Sequence, residues 1–556
     1  MNKETKTCQN CKNDFTIESE DFSFYEKIKV PPPTSCPGCR SQRRLAFRNE
    51  WNLYRRKCDA TEKYVISMYA PQKPFPVYST EAWYGDSWDP MQYGQKFDVN
   101  RPFLEQFREL SQHVPRCALA NTKSVNSEYT NYAAENKNCY LCVSAMHNEN
   151  CLYSYRIFNS RDSLDCLDLH KSEFCYECLQ LKNSYQCFFC ELGESLSDCW
   201  FCYDCRGCGN CFGSTGLRNK SYYWLNQQLS KEEYASRFRS LQRQPRWLEV
   251  AERQFHEVLA RYPRRAARII KSVNCTGDDI INSKNCKRCF HVDDVEDGGY
   301  ILFGTKMKDF YDDNFDDESQ RVYENMSGQT NYGVFFSAQV WYSRDVFYSD
   351  MCQNSSNLFG CVGLRNKHYC ILNTQYSEEE YTRLVPRIIA HMNSLPFQDA
   401  GGRKYPYGEF FPIEFSPFGY NESVAEDYFP LEERQALERR YPWNDYKAEP
   451  PKAEAYSVPD SIEKVLNDVL QKAIISEVSG KPFRILKQEL EFHRKFGIPL
   501  PRLTPFERHR ERLQKLSPIK LYQRTCQKCG AEIVTPYAPD RPEIVYCEAC
   551  YNAEVA

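Results

Sequence analysis

Four C-x-x-C pairs at the two ends of the chain carry its clearest chemistry: Cys8 and Cys11 with Cys36 and Cys39, and Cys526 and Cys529 with Cys547 and Cys550. A C-x-x-C turn aims two thiolates at one point, and two such turns complete a tetrahedral four-thiolate shell. A closed shell leaves no position for water, so the spacing predicts two structural zinc sites and no catalytic metal. The competing reading is reduced thiol pairs without metal.

The ends that hold these pairs are copies of each other. "FTIESEDFSFYEKIKVPPP" from Phe15 aligns with "FRILKQELEFHRKFGIPLP" from Phe483 at an offset of 468. The match runs without a gap through Arg40/Arg508, Arg44/Arg512, Tyr54/Tyr522 and Cys58/Cys526 to "YAPQKP" against "YAPDRP". Each copy keeps a different set of four cysteines. Ser476 and Ser479 stand where Cys8 and Cys11 would fall, and the first copy retains only Cys58, with Thr61 and Ser79, of the other set. The stretch "CQNCKNDFTIESEDFSFYEKIKVPPPTSCPGCRSQRR" resembles the zinc-ribbon, or treble-clef-like, domains, over about the first 45 residues. "CQKCGAEIVTPYAPDRPEIVYCEACY" resembles a short zinc ribbon, and both modules resemble those of bacterial multi-cysteine repeat proteins. The resemblance implies Cys8, Cys11, Cys36 and Cys39 as ligands. Lys12 follows the first pair where glycine is common, so that knuckle is expected to be less tight than the one closed by Gly530.

The chain has 556 residues, 29 of them cysteine, a net charge of −3 and 15% aromatics. That length predicts several domains. No apolar run is long enough to cross a bilayer, and the polar start carries no apolar leader. A cytoplasmic location is therefore expected, and there cysteines serve as ligands or buried thiols more than as disulfides.

Most of the cysteines lie in a twelve-residue repeat. From Ser127 it reads SEYTNYAAENKN, CYLCVSAMHNEN, CLYSYRIFNSRD, SLDCLDLHKSEF, CYECLQLKNSYQ, CFFCELGESLSD, CWFCYDCRGCGN and CFGSTGLRNKSY. A second array repeats the first at an offset of 147, with "GLRNKHYCILN" at Gly363 answering "GLRNKSYYWLN" at Gly216. Its later units, such as VFFSAQVWYSRD, place Val or Leu where Cys stood. Valine cannot replace a metal ligand, but it can replace a small buried side chain. The cysteines are thus expected to be ladder residues of a tight core. The alternatives are extra metal, for example at Cys175, Cys178, Cys187 and Cys190, or stacked disulfides. A short fixed period with stacked columns is the mark of a solenoid.

The predicted fold is mainly β: two tandem short-period β-solenoids of twelve-residue units with helical caps, flanked by small α+β zinc-binding modules. Each coil takes either one unit or two. The division runs 1–58 for the N-terminal module, 59–125 for an α+β connector, 126–228 for the first solenoid and 229–270 for its cap and a helical connector. It continues with 271–375 for the second solenoid, 376–447 for a cap and aromatic wrap, 448–460 for a linker, and 461–556 for a helix and the C-terminal module. Ser230 with Glu233, and Ser377 with Glu380, have capping-box spacing, so a helix should close each array. "RPFLEQFRELSQHV" reads as another helix, and Ile462, Val465, Leu466, Val469 and Leu470 fall at helical spacing.

No P-loop, G-x-G-x-x-G, G-x-S-x-G or H-E-x-x-H motif is present, so no enzyme is expected. Asp312, Asp313, Asp316 and Asp317 are placed on a turn of the second array, as a solvated acidic turn, a calcium site or the acid cluster of a carbohydrate-active β-helix. From Lys481 to Lys528 thirteen Lys or Arg face four Glu. Arg508, Arg512 and Lys515 can share one helix face, which Arg40 and Arg44 repeat. These arginines either contact nucleic-acid phosphates or pair with the acidic arrays. The reading reached is a zinc-binding, non-enzymatic scaffold with a protein partner and no membrane partner. Nucleic-acid binding through Arg40, Arg44, Arg508 and Arg512 is the alternative, and the carbohydrate-active enzyme the third.

Overall fold

The structure is a computed structural model that describes residues 3–447 and 453–555. Residues 448–452, the first part of the expected linker, lie outside that description. The described residues are rich in strand, with twelve α-helices and a large mixed sheet. They form two compact units. One is Met1–Ala118 with Ala267–Tyr446 and Pro518–Leu521; the other is Leu119–Ala266 with Lys447–Ser517 and Tyr522–Ala556. The N-terminal module is thus joined to the second array, and most of the C-terminal module to the first.

Along each array the strands pair in parallel at a step of twelve residues, which is eleven only at the start of the second array. Val143 pairs with Tyr155, Tyr155 with Leu167 and Leu167 with Leu179. In the second array Tyr332 pairs with Arg344, and Arg344 with Ser356. One repeat unit therefore makes one turn of the chain, which decides between one unit and two. The register slips once. Cys275 pairs with Cys286 but Gly277 with Cys289, and a Cβ on Gly277 would lie 1.8 Å from the Cys289 carbonyl oxygen.

The turns are made by a three-residue rhythm inside the twelve. Asn138, Leu141, Ser144, His147, Asn150 and Tyr153 all have φ between 48° and 57°. Left-handed backbone is uncommon outside glycine, and here it bends the chain at every third residue. The residue after each bend points inward: Cys139, Cys142, Ala145, Asn148, Cys151 and Ser154 are no more than 2% exposed. So narrow a core admits small side chains, and the backbone at the bends needs partners. Serine supplies both. Ser127, Ser154 and Ser163 Oγ accept the N–H groups of Cys139, Cys166 and Cys175 one turn later, at 3.0, 3.1 and 3.1 Å. Cysteine fills the same volume and donates a weak S–H: Cys178 Sγ lies 3.4 Å from the Tyr176 carbonyl and 3.2 Å from that of Cys187. In the second array Val334, Val340, Val346, Leu358 and Leu364 share the core with Cys352, Cys361 and Cys370.

Each ladder ends in a short antiparallel hairpin, Tyr223–Trp224 with Gln227–Gln228 and His368–Ile371 with Thr374–Gln375. A helix follows each: Lys231–Gln242, with the capping box of Ser230 and Glu233, and Glu378–Ser394, with that of Ser377 and Glu380. The helix Phe103–His113 forms as expected and sets Phe103 against Phe359 at 5.1 Å. The aromatic segment after 395 packs on the second array, where the Gly408 N–H donates to Tyr348 Oη at 2.9 Å.

Two expectations are corrected. Ile462, Val465, Leu466, Val469 and Leu470 do not form an α-helix; the segment makes two 3-10 turns, Ile462–Lys464 and Asn467–Leu470. Ile462, Val465 and Val469 are buried while Leu466 is exposed, and they pack with Phe483, Leu490 and Leu500 of the same module. Packing against that module outweighs helical spacing in so short a stripe. The aspartates Asp312, Asp313, Asp316 and Asp317 lie not on a solvated turn but at the end of the strand Leu302–Asp317, with Asp312, Asp313 and Asp316 fully buried.

None of the 29 cysteines forms a disulfide, and those that are not buried are Cys11, Cys36, Cys39, Cys275, Cys529, Cys547 and Cys550. Titration after denaturation should recover the full complement, whereas fast modification of the native chain should stay within those seven. Rapid native modification of Cys175 or Cys187, located by mass spectrometry, would contradict their packing role.

Candidate metal centres

The first knuckle sits at the tip of the antiparallel hairpin Glu4–Thr7 with Asp14–Ile17. Its turn closes with the Lys12 N–H on the Cys8 carbonyl at 3.0 Å. Lys12 takes φ 64°, much as Gly530 takes 78° in the second site, so the knuckle expected to be looser closes in the same way. The second pair, Cys36 and Cys39, begins the helix Pro37–Leu45, with Cys36 at its N-cap. The C-terminal site repeats the plan. Cys526 and Cys529 follow the strand Tyr522–Thr525, and Cys547 caps the helix Glu548–Glu554.

In both clusters one Sγ atom from each of the four cysteines lies within 4.8 Å of the others, a group that could hold a metal ion. Cys11 and Cys36 Sγ are 3.8 Å apart, as are Cys529 and Cys547 Sγ. Backbone donors point at the sulfurs: Cys36 N–H reaches Cys8 Sγ at 3.2 Å, and Cys547 N–H reaches Cys526 Sγ at 3.2 Å. The neighbouring thiols of Cys36 and Cys39, with the N–H groups of Cys36 and Cys11, outweigh burial and pull Cys8 far below the ordinary thiol range. Burial opposes ionisation of Cys526, but the N–H groups of Cys547, Cys529 and Lys528 outweigh it and bring the thiol down to about 6. Thiolate, not thiol, ligates metal.

Each copy also preserves the site it has lost. At offset 468, Cys8, Cys11, Cys36 and Cys39 become Ser476, Ser479, Thr504 and Glu507. Ser476 Oγ and Thr504 Oγ1 both donate to Glu507 Oε2 at 2.7 Å, so a hydrogen-bonded carboxylate stands where an ion would pin the two segments. Burial opposes the charge on Glu507, yet the hydroxyls of Ser479, Ser476 and Thr504 hold its carboxyl down at about 2. In the first copy, Cys58, Thr61, Ser79 and Ala82 replace the C-terminal set, and the Ser79 N–H still reaches Cys58 Sγ at 3.1 Å.

The second feature built by these modules is a buried ionic contact with the arrays. The helix Pro37–Leu45, begun by Cys36, places Arg40 Nη2 2.7 Å from Asp312 Oδ2 and Arg44 Nη1 2.9 Å from Glu324 Oε2. Arg43 bridges Glu324 and Glu409 at 3.0 and 2.9 Å. In the other unit the helix Pro505–Lys515 places Arg508 Nε 3.1 Å from Asp165 Oδ1, and Arg512 Nη1 2.7 Å from Glu177 Oε1. The arginines correspond at offset 468 and the acids at offset 147, so both duplications meet in one contact. It extends further: Tyr300 Oη donates to Asp21 at 3.1 Å, and its counterpart Tyr153 donates to Glu489 at 2.9 Å. Phe24 and Phe492 each lie 6.0 Å from the corresponding rings Tyr323 and Tyr176.

This overturns the nucleic-acid assignment of Arg40, Arg44, Arg508 and Arg512. All four are at most 4% exposed and committed to carboxylates, so no phosphate reaches them. Lys515, partly exposed, pairs with Glu191 at 3.1 Å. The carbohydrate-active reading fares no better, because Asp312 is held by Arg40 and the buried Asp313 and Asp316 face no solvent. Glu324, Glu177 and Asp165 escaped the sequence reading; matching the two offsets against each other would have found them.

No protein-family model matches the chain, and no curated protein matches it either.

Two outcomes are expected. Changing Ser476, Ser479, Thr504 and Glu507 together to Cys should add one bound metal per chain by elemental analysis; an unchanged metal content would deny that the segments keep the site's geometry. Arg512→Ala should cost about 3–5 kcal/mol of stability to denaturant, the usual loss when a buried pair is broken on one side. A loss below about 1 kcal/mol would show the contact to be solvated.

Proposed function

We propose that the chain is a zinc-stabilised, non-enzymatic binding scaffold: two short-period β-solenoids, each clasped by a zinc-ribbon module from the opposite end of the sequence. The observation that carries the metal is the pair of four-thiolate clusters. A tetrahedron with Zn–S bonds of about 2.3 Å has edges of about 3.8 Å, which is the Cys11–Cys36 and Cys529–Cys547 spacing. Four soft sulfur ligands with no open position favour structural zinc over catalytic or hard-ion sites. Zinc serves here as a fastener. Small modules bury too little apolar surface to hold their own shape, and metal supplies the folding energy. Ligation at Cys36 and Cys39 sets the start of the helix that inserts Arg40, Arg43 and Arg44 into the second array.

The partner is proposed to be a protein that lies along a ladder face. Nucleic acid lacks support once the duplicated arginines are spent inside each unit. The metal-dependent latch is confined to the N-terminal copy, because Glu507 replaces the ion at the matching place in the other.

The test is elemental analysis joined to hydrogen exchange. The purified chain should carry about two zinc. Cys36→Ser with Cys39→Ser should remove one and raise exchange in the helix Pro37–Leu45 and the strand Leu302–Asp317, while the helix Pro505–Lys515 keeps its protection. A chain without zinc, or unaltered exchange after the loss of one, would end the fastener reading.

A further inference from the structure

Most inward positions of the second array hold Cys, Val, Ile, Met, Phe, Leu, Ser or Gly, Asn331 is a hydrogen-bonded exception, and one polar cluster carries carboxyls. Asp313, Asp316 and Asn325 point into the core there, each fully buried. Asp313 stacks on Asn325 as its ladder neighbour, and Asp316 stacks on Gly328. The matching positions of the first array hold Cys166, Leu169 and Cys178. Two carboxyls have therefore been placed where the sister array keeps an apolar column, and among the described residues no cation makes an ion pair with either.

Their hydrogen bonds are uneven. Asp316 Oδ1 accepts from Ser319 Oγ at 2.6 Å, and its Oδ2 from Asn325 Nδ2 at 2.9 Å. Asp313 Oδ1 accepts the Asn314 N–H at 2.8 Å. That leaves Asp313 Oδ2 and Asn325 Oδ1 buried and unpartnered, two acceptors on stacked neighbours. A proton or a cation between these neighbouring residues would satisfy both acceptors. The packing favours the smaller. A Cβ at Gly328 would come within 2.6 Å of both Asp316 Oδ2 and Asn331 Nδ2, and one at Gly304 within 2.6 Å of Ile301 Cδ1. A cation would also want six or more oxygens, where the site presents two free.

We propose that the second array folds around one proton held on this pair: Asp313 is a neutral carboxylic acid whose Oδ2–H donates to Asn325 Oδ1, Asp316 is the carboxylate, and alkaline pH loosens the array by drawing the proton away. Every polar atom of the cluster then has a partner. The charged surroundings agree. On the same strand Asp312 and Asp317 add negative charge, and Glu324 adds it from the next strand. The arginines of the helix Pro37–Leu45 make their ion pairs and hydrogen bonds elsewhere, Arg40 with Asp312, Arg43 with Glu324 and Glu409, and Arg44 with Glu324 and Asn314, although Arg44 Nη2 is left without a hydrogen-bond partner. Burial and then the Asp316 charge push the Asp313 carboxyl well up, against a smaller pull from Arg44. Burial raises Asp316 to about 7. An unfolded aspartate titrates near 3.9. The folded chain thus binds more protons than the unfolded one from about pH 4 upward, and stability falls as pH rises through and beyond 7.

The experiment compares the full chain with Asp313→Asn, which mimics the protonated acid, by denaturant unfolding from pH 5 to 9. The wild-type folding constant of the unit with the second array should fall by up to about tenfold per pH unit for this proton. Asp313→Asn should flatten that slope and move the midpoint upward at pH 9. Infrared difference spectra of the wild type should show a buried carboxylic-acid carbonyl band at pH 6 that Asp313→Asn removes. An equal slope in both proteins, or no acid band in the wild type, overturns the proposal. So does one equivalent of calcium or another oxygen-preferring divalent ion that the wild type binds and the variant loses. The wild-type band and metal content decide the matter even where the variant fails to fold.

Discussion

A turn closed in twelve residues leaves very little room inside, and that narrowness governs the rest of the molecule. With a left-handed residue at every third position, each turn sends only every third side chain inward. Most of those side chains are small, and many of them serve the backbone at the bends. Serine does so through its oxygen. Cysteine does so through size and a weak S–H, and valine takes the place where packing alone is required. Larger apolar residues enter at scattered places, Ile157, Leu181, Met307 and Phe310 among them, but most inward positions of the first array are Cys or Ser, so the hydrophobic contribution of that core is thin. The aromatics are displaced to the outside of the ladder, as with Phe188 stacked on Trp200 at 4.0 Å and Phe212 on Trp224 at 4.1 Å. Outer aromatic columns demand a cover, and the helices and terminal modules provide it.

The cover is specific because its centre is ionic. A buried arginine–carboxylate contact gains little net stability over an apolar one, but it tolerates no slip in register. Arg508 and Arg512 share Asp165, so a shift of one turn along the ladder would leave charges unpaired in the interior. The twelve-residue repeat offers many nearly identical seats, and only the one bearing Asp165 and Glu177, or Asp312 and Glu324, matches the fork of two arginines one helical turn apart. Registry of a monotonous surface is the service these buried charges perform.

Much of this was legible from residue types and spacing. The Cys sets, the capping boxes and the twelve-residue step all rest on local chemistry, and Val for Cys identified the ladder thiols as packing groups. Long-range pairing was not legible in the same way. The basic run from Lys481 to Lys528 looks like a surface, because a sequence does not say which arginines a distant Asp will bury. Asp312, Asp313 and Asp316 looked like a solvated turn for the same reason: four acids among polar neighbours read as exposed until the three-residue rhythm assigns Asp313 and Asp316 to inward positions. Ile462 to Leu470 misled in the opposite direction, since a stripe of five apolar residues fits two 3-10 turns as well as a helix.

The two copies solve one mechanical problem by different chemistry. The helix that carries the arginine fork has to be tied at its first turn to the knuckle beside it. Four thiolates can do this around an ion; Ser476, Ser479, Thr504 and Glu507 do it with hydroxyls converging on one carboxylate. The hydrogen-bonded version keeps its charge down to about pH 2 and needs no metal, while the thiolate version has the geometry to hold one. At the other knuckle the roles reverse, with four cysteines in the C-terminal copy and Cys58, Thr61 and Ser79 in the N-terminal one. Were metal needed only for stiffness, both copies could have drifted to hydroxyls together. Each instead keeps one complete thiolate set, and the kept sets differ. Each module is thus tied by hydrogen bonds at one point and carries at another a thiolate set that could hold an ion.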